Sequence, residues 1–198
     1  MPNILYVHAS PRAERSHSQV LADHVLSKLP GKVTSRDVSK SVPFVTDNQI
    51  SHMYGFAPYG TLKGADKDAV DYQDAVVAEI LAADTVVLSA PMWNLGMPAS
   101  VKAWFDQVIR VGQTWKMSDE GKYVGLASQI TRVVIVGTSG GIPAGAGHPW
   151  DFYTGHLTAL FQFIGAKEVK IFWATGNNAE VIAPHIEVAK KQIDEYLK

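Results

Sequence analysis

Three short stretches of this sequence carry residue types able to hold a ligand. The first runs from Ser10 through Arg12 to Ser16, His17 and Ser18 and leads into a helix-period segment, which makes Ser16 or Ser18 the expected N-cap. Serine hydroxyls and free backbone amides at a helix N-terminus hold a dianion, with the helix dipole supplying positive charge where no lysine stands; ordinary capping explains the same residues. Neither G-x-G-x-x-G nor G-x-x-x-x-G-K-S/T occurs there, which argues against a pyrophosphate-binding turn and a P-loop and favours a single terminal phosphate. The second stretch is Pro91, Met92, Trp93, Asn94 and Leu95, fixed at its far end by Pro98. An aromatic ring, an Asn and several free amides between two prolines suit a planar heterocycle, although Trp93 as a core residue is the competing account. The third is Thr138, Ser139, Gly140 and Gly141, where adjacent glycines let backbone approach a ligand or simply make a tight turn.

Other candidates are sparser. His148 follows the glycine turn and is a candidate proton donor or a surface histidine, while His8 and His24 are expected on the first strand and first helix. Asp106 and Asp151 suit pairing or capping rather than catalysis, and Met97, Met117 and Trp150 fit either pocket wall or core. No compact metal-ligand set is present, so no metal is expected. With zero cysteines, thiol redox chemistry and thiolate metal sites are excluded, and any electron transfer needs a borrowed cofactor.

The elements that must position these stretches read as alternating strands and helices. Strands are expected at 3–9, 32–37, 85–90, 132–137 and 168–174. Between them, Leu21, Val25 and Leu29 share a helical face, as do Val76, Val77, Ile80 and Leu81, then Val101, Trp104, Phe105 and Val108. Leu157, Leu160, Phe161 and Ile164 form a fourth stripe, and Ile182, Ile186, Ala189, Ile193 and Leu197 a fifth. That alternation predicts a doubly wound α/β fold, a five-stranded parallel sheet with helices on both faces, whose ligand loops lie beyond the carboxyl ends of the strands. All three candidate stretches follow strands and so fall on that edge; their co-occurrence carries the inference. Two segments break the pattern, 41–68 and 112–130, the second containing a hairpin pattern.

Composition bounds the rest. The 198 residues, 46% apolar, show no shift that would divide them, so residues 1–198 are expected to form one domain. With 18 Lys and Arg against 19 Asp and Glu the chain carries no nucleic-acid footprint, and the expected partner is a small molecule. No apolar run reaches the length of a membrane span and the first residues lack a signal-peptide pattern, so no membrane insertion and a cytoplasmic location are expected.

The segment Ala90 to Leu95 followed by Pro98, Lys102, Trp104, Phe105 and Asp106 resembles the P-M-aromatic-N-aromatic stretch and following helix of the flavodoxin-like FMN-dependent NADH azoreductases, a family that includes quinone reductases. Ser10 with Ser16, His17 and Ser18, the turn 138–141 and the run Phe161 to Gly165 extend the similarity over nearly the whole chain. The resemblance implies bound FMN with its phosphate on Ser10, Ser16, His17 and Ser18. Pro91, Met92, Trp93, Asn94 and Leu95 would then lie along the isoalloxazine, and Thr138, Ser139, Gly140 and Gly141 at its pyrimidine edge. It further implies NADH or NADPH as donor, a quinone or azo acceptor and a homodimer with a shared site. Two departures stand out: many azoreductases carry Arg where this chain has Ser139, and Phe-x-Tyr where it has Trp115, Lys116 and Met117. The same fold also serves a quinone reductase subunit that regulates a membrane transporter, and a flavodoxin-type electron carrier.

Overall fold

A computed structural model describes residues 1–12, 15–56, 62–142 and 148–198. Strands β1 (Asn3–His8), β2 (Lys32–Asp37), β3 (Thr85–Pro91), β6 (Arg132–Ser139) and β7 (Val169–Thr175) form one sheet in the order β2-β1-β3-β6-β7, every pair parallel. Helix α1 (His17–Lys28) follows β1, α2 (Asp47–Met53) and α3 (Gly64–Ala82) follow β2, and α4 (Ala99–Val108), α5 (Thr154–Phe163) and α6 (Ala179–Tyr196) follow β3, β6 and β7. No helix among the described residues is long and apolar enough to cross a membrane.

Alternation along the strands divides the core in two, because successive side chains leave a strand on opposite faces. Ile4, Tyr6, Val87, Val134, Val136 and Phe172 pack against Leu21 and Val25 of α1 and Ile182, Ile186 and Ile193 of α6. Leu5, Val7, Val86, Leu88, Val133 and Ile135 face the other way and meet Val76 and Ile80 of α3, Trp104 and Phe105 of α4, and Leu157 and Phe161 of α5. Helices therefore cover both faces, as the sequence pattern predicts. β3, apolar on both sides, is buried over its first six residues.

The expected strand ends shift by a residue or two, and the segment 41–68 is less irregular than its composition suggests. It holds α2 and the first turn of α3; residues 57–61 within it lie outside the described residues. Thr46 supplies the missed start signal for α2, its side chain accepting from the Gln49 amide at 3.2 Å. The hairpin expected in 112–130 is present as β4 (Trp115–Met117) paired antiparallel with β5 (Tyr123–Gly125).

The hairpin is anchored where two glycines touch. A Cβ on Gly125 would lie 2.3 Å from the Gly165 amide nitrogen, and Gly165 itself has φ +104°. Next to this contact the Ala127 amide donates to the Ile164 carbonyl at 2.8 Å. Since both clashing partners are backbone, neither can swing aside. We expect Gly125→Ala to lower unfolding free energy by about 1–3 kcal/mol through overpacking, read by urea denaturation; a loss below about 0.5 kcal/mol would show that the contact is dispensable.

Candidate active site

Parallel strands all end at one edge, and four loops meet there: β1 to α1, β3 to α4, β6 to α5 and β7 to α6. They enclose a cavity of about 290 Å³. Ser10, Arg12, Ser16 and His17 line it from the first loop, Pro91, Met92 and Trp93 from the second, Thr138, Ser139 and Gly140 from the third, and Gly176, Asn177 and Ile182 from the fourth. A groove of about 350 Å³ between β1, β2 and α3 lies at the opposite end of the sheet, beside Asn3, Lys32 and Ala82, where no such loops converge.

Ser16 is the N-cap of α1. Its Oγ accepts from the Gln19 amide at 3.4 Å and shares a hydrogen bond with the buried Ser18 Oγ at 3.1 Å. Capping and cavity lining are thus one role at Ser16, whereas Ser18 stands behind it as a brace and is not part of the lining. No acidic residue occupies the first turn of α1, so no carboxylate of that turn opposes the positive end of its dipole.

The second loop is a tight turn. Trp93 and Gly96 exchange backbone hydrogen bonds of 2.9 and 3.1 Å, and the two residues between them, Asn94 and Leu95, have φ of +46° and +75°. Asn tolerates the left-handed region; a bulky Leu there costs about 1–3 kcal/mol, which the surroundings must offset. Two backbone bonds help: Met92 N–H donates to the Thr138 carbonyl at 2.7 Å, and Phe152 N–H to the Leu95 carbonyl at 3.1 Å. The turn raises Trp93 to the cavity mouth, 49% exposed, which decides against the competing account of Trp93 as core, and leaves Met92 as the buried wall. Asn94 and Leu95 sit at the turn tip, outside the cavity lining.

Beneath the loops a chain of buried contacts sets their height. Gly137 has no room for a side chain, since a Cβ would fall 1.9 Å from the Trp173 ring. Trp173 lies edge-on to Tyr153 with centroids 5.0 Å apart, and the Tyr153 hydroxyl donates to the Ala90 carbonyl at 2.8 Å, one residue before Pro91. Burial, aided by the charge of Asp151, pushes the Tyr153 hydroxyl far above its ordinary pKa, so it remains a neutral donor. Asp151 anchors the same residue, accepting from the Tyr153 and Thr154 amides at 3.0 and 2.9 Å and from the Thr154 hydroxyl at 2.7 Å. Asp106 pairs with Lys102. Both carboxylates therefore serve capping or pairing, as the sequence predicts.

Of the remaining candidates, Gly141 adjoins the lining residue Gly140 without being part of it. Neither glycine has positive φ, and a Cβ added to either would meet no atom of the described residues within 4 Å. A tight turn needing glycine is therefore not the reason for the pair. Ser139 donates its Oγ to the Ile142 carbonyl, and its own carbonyl accepts from Gly176 N–H at 2.9 Å. His148 Nδ1 accepts from the Trp150 amide at 3.3 Å, outside the lining; Trp150 is exposed rather than core. Met97 packs against the core and Met117 is exposed on the hairpin. His8 stands at the end of β1, 3.7 Å from Asp37, and His24 bonds Asp194 across α1 and α6 at 2.9 Å. Burial raises the Asp37 pKa, but hydrogen bonds from Ser39 together with His8 and Lys40 outweigh it and hold the carboxyl below its usual range. Among the described residues no group of three or more His, Asp or Glu is placed to hold a metal ion.

Sequence reasoning missed Arg12, Gly176, Asn177 and Ile182. The signal was present: Arg12 lies within the first candidate stretch, and the loop after β7 belongs to the same edge by the rule that located the others.

Strand order and loop placement define a flavodoxin-like α/β protein, and comparison with known proteins sharpens this. The profile of a family described by its flavodoxin-like fold matches residues 2–197. An FMN-dependent NADH:quinone oxidoreductase of Jannaschia sp. is 32% identical over 98% of both chains, and one of Hahella chejuensis is 36% identical over 84% of this chain and 81% of its own. An azoreductase structure from Bacillus anthracis superposes with a TM-score of 0.81 at 26% identity, covering 98% of this chain and 100% of that one. The chain belongs to the flavodoxin-like family of FMN-dependent NADH:quinone oxidoreductases and azoreductases, as the motif at 90–106 implies.

The Tyr153 contact is testable. Tyr153→Phe leaves the ring packing and removes one buried donor from the Ala90 carbonyl, for an expected stability loss of about 1–2 kcal/mol. Unchanged urea midpoints would show that the hydroxyl does not support the second loop.

Proposed function

We propose that this chain is a cytoplasmic, homodimeric FMN-dependent oxidoreductase that uses NADH or NADPH to reduce quinones and azo compounds, with residues 1–198 forming one FMN-binding domain. The observation that carries the reading is that a phosphate-type loop and a ring-type loop open into the same cavity. The chemistry of the lining fits FMN end to end: hydroxyls and a helix N-terminus with no acidic residue in its first turn at one side, a Pro91–Met92–Trp93 wall in the middle, and Thr138, Ser139 and the turn at Gly140 at the other. The relatives' names favour an enzyme over an electron carrier or a transporter subunit.

Bound FMN supplies a two-electron centre that takes hydride from the nicotinamide and gives it to the acceptor. In this reading Ser10, Ser16, His17 and Ser18 hold the phosphate, Ser18 by bracing Ser16. Pro91, Met92, Trp93, Asn94 and Leu95 seat the ring on a pre-strained turn, so little ordering is needed on binding. Thr138, Ser139, Gly140 and Gly141 meet the pyrimidine edge, where the amides of the two glycines, beyond the strand ladder, would face the negative charge that reduction places there. No side chain acts as a nucleophile; the acceptor's protons come from solvent or from His148.

A single cavity for donor and acceptor implies that they bind in turn. Initial rates at several fixed quinone concentrations should give parallel double-reciprocal lines against NADH, with each substrate competing against the other in excess; intersecting lines would refute alternation. Because a Cβ at Gly140 meets no atom of the described residues within 4 Å, Gly140→Val should leave the melting temperature within about 2 °C. The same change should weaken FMN binding at least about tenfold by intruding on the ligand. Equal FMN affinity would remove the glycine pair from the site.

The dimer reading is supported by Trp93 standing half-exposed over the cavity and by a second, aromatic cavity lined by Tyr54, Trp115, Tyr123 and Phe163, whose Tyr54 and Tyr123 are exposed. Apolar rings on a chain of this size call for a partner surface. Sedimentation at micromolar concentration should show twice the chain mass of 21.6 kDa; monomer alone would contradict it.

A further inference from the structure

We infer that Arg12 is the charge-selecting residue of the cavity, pairing with the flavin's phosphomonoester and making the site prefer FMN to unphosphorylated riboflavin. The inference rests on the FMN reading above.

Arg12 shares the cavity wall with Ser10, Ser16 and His17. Its place on the loop is fixed from both sides: the Arg12 amide donates to Ser10 Oγ at 3.4 Å, and its carbonyl accepts from the Arg15 amide at 3.1 Å. The guanidinium has no carboxylate within ion-pair distance among the described residues, and no Asp or Glu among them lines the cavity. Two arginines packed into the fold differ: Arg36 is neutralised by Glu79 and stacks over Tyr72, and Arg110 is neutralised by Asp74. Arg15 and Arg132 also have no carboxylate partner among the described residues, but neither lines the cavity, and Arg132 lies over the Tyr196 ring. Arg12 carries no counter-ion among the described residues, and it is the one Lys or Arg among them lining this cavity.

Charge balance gives that cation a purpose. A phosphomonoester carries about −1.5 to −2 at neutral pH, whereas a helix N-terminus offers roughly half a positive charge. Serine hydroxyls add hydrogen bonds but no charge. A guanidinium fits phosphate oxygens through two parallel N–H donors, which gives orientation as well as attraction. Riboflavin, identical in ring and ribityl chain, offers nothing for Arg12 to pair with.

The test is to titrate refolded or flavin-stripped full-length protein with FMN and with riboflavin, following flavin fluorescence, for wild type, Arg12→Gln and Arg12→Lys at several salt concentrations. Arg12→Gln should raise the FMN dissociation constant about tenfold, leave riboflavin affinity within about twofold and flatten the salt dependence of FMN binding, with Arg12→Lys in between. Inorganic phosphate should compete with FMN in wild type and less in Arg12→Gln. Equal FMN affinity in wild type and Arg12→Gln would overturn the assignment while leaving the flavin reading intact. So would a parallel loss of both flavins, which would mark Arg12 as a support of the loop. A wild type that binds neither flavin would overturn the flavin reading, and this inference with it.

Discussion

The structure depends on one constraint, the parallel pairing of all five sheet strands in register. β3 pairs with β1 on one side and β6 on the other, from Thr85 opposite Ile4 and Arg132 to Pro91 opposite Thr138. Because neighbouring strands run the same way, their carboxyl ends coincide, and loops far apart in sequence open onto one edge. The adjacency of Ser10, Met92, Ser139 and Asn177 follows from that pairing alone. Reversing one strand would send its loop to the far end of the sheet and empty one wall of the cavity.

Pairing sets the edge, and packing sets the shape of the cavity upon it. Gly137 is where the two meet: its missing side chain lets Trp173 lie across the sheet, Trp173 backs Tyr153, and Tyr153 holds the Ala90 carbonyl. From that fixed point the chain makes the strained turn at Asn94 and Leu95, kept in place by bonds to Thr138 and Phe152. Strain of this kind persists where surroundings over-determine it, and it commonly marks places that hold a ligand. The first loop works differently. It is stabilised locally, by Ser16 capping α1 and by Ser10 accepting from Arg12, and it presents charge and hydrogen bonds rather than shape.

Much of this was legible in the residues. Short β-branched and aliphatic runs between helix-period segments gave the five sheet strands to within a residue or two, and the stripes on α1, α3, α4, α5 and α6 are the faces that meet the sheet. The three candidate stretches do converge, because parallel alternation already implies a common edge. What was not legible depends on tertiary geometry. α2 is short, polar and capped by Thr46, so it has no apolar stripe to announce it. Trp93 and Trp104 look alike in sequence, and only the tight turn separates the exposed ring from the buried one. Ser16 and Ser18 are interchangeable as caps until the helix start fixes which hydroxyl faces the cavity and which lies behind it. Arg12 was visible as a residue but not as a charge without a counter-ion among the described residues, since that is a property of the folded neighbourhood.

The central claim is that four loops on one edge make a single site for one flavin mononucleotide. Its most direct measurement is the identity and amount of the flavin released by heat from the purified or reconstituted protein, separated by chromatography and quantified against chain concentration. One FMN per chain is the predicted result; FAD, or no flavin after reconstitution, would contradict the account.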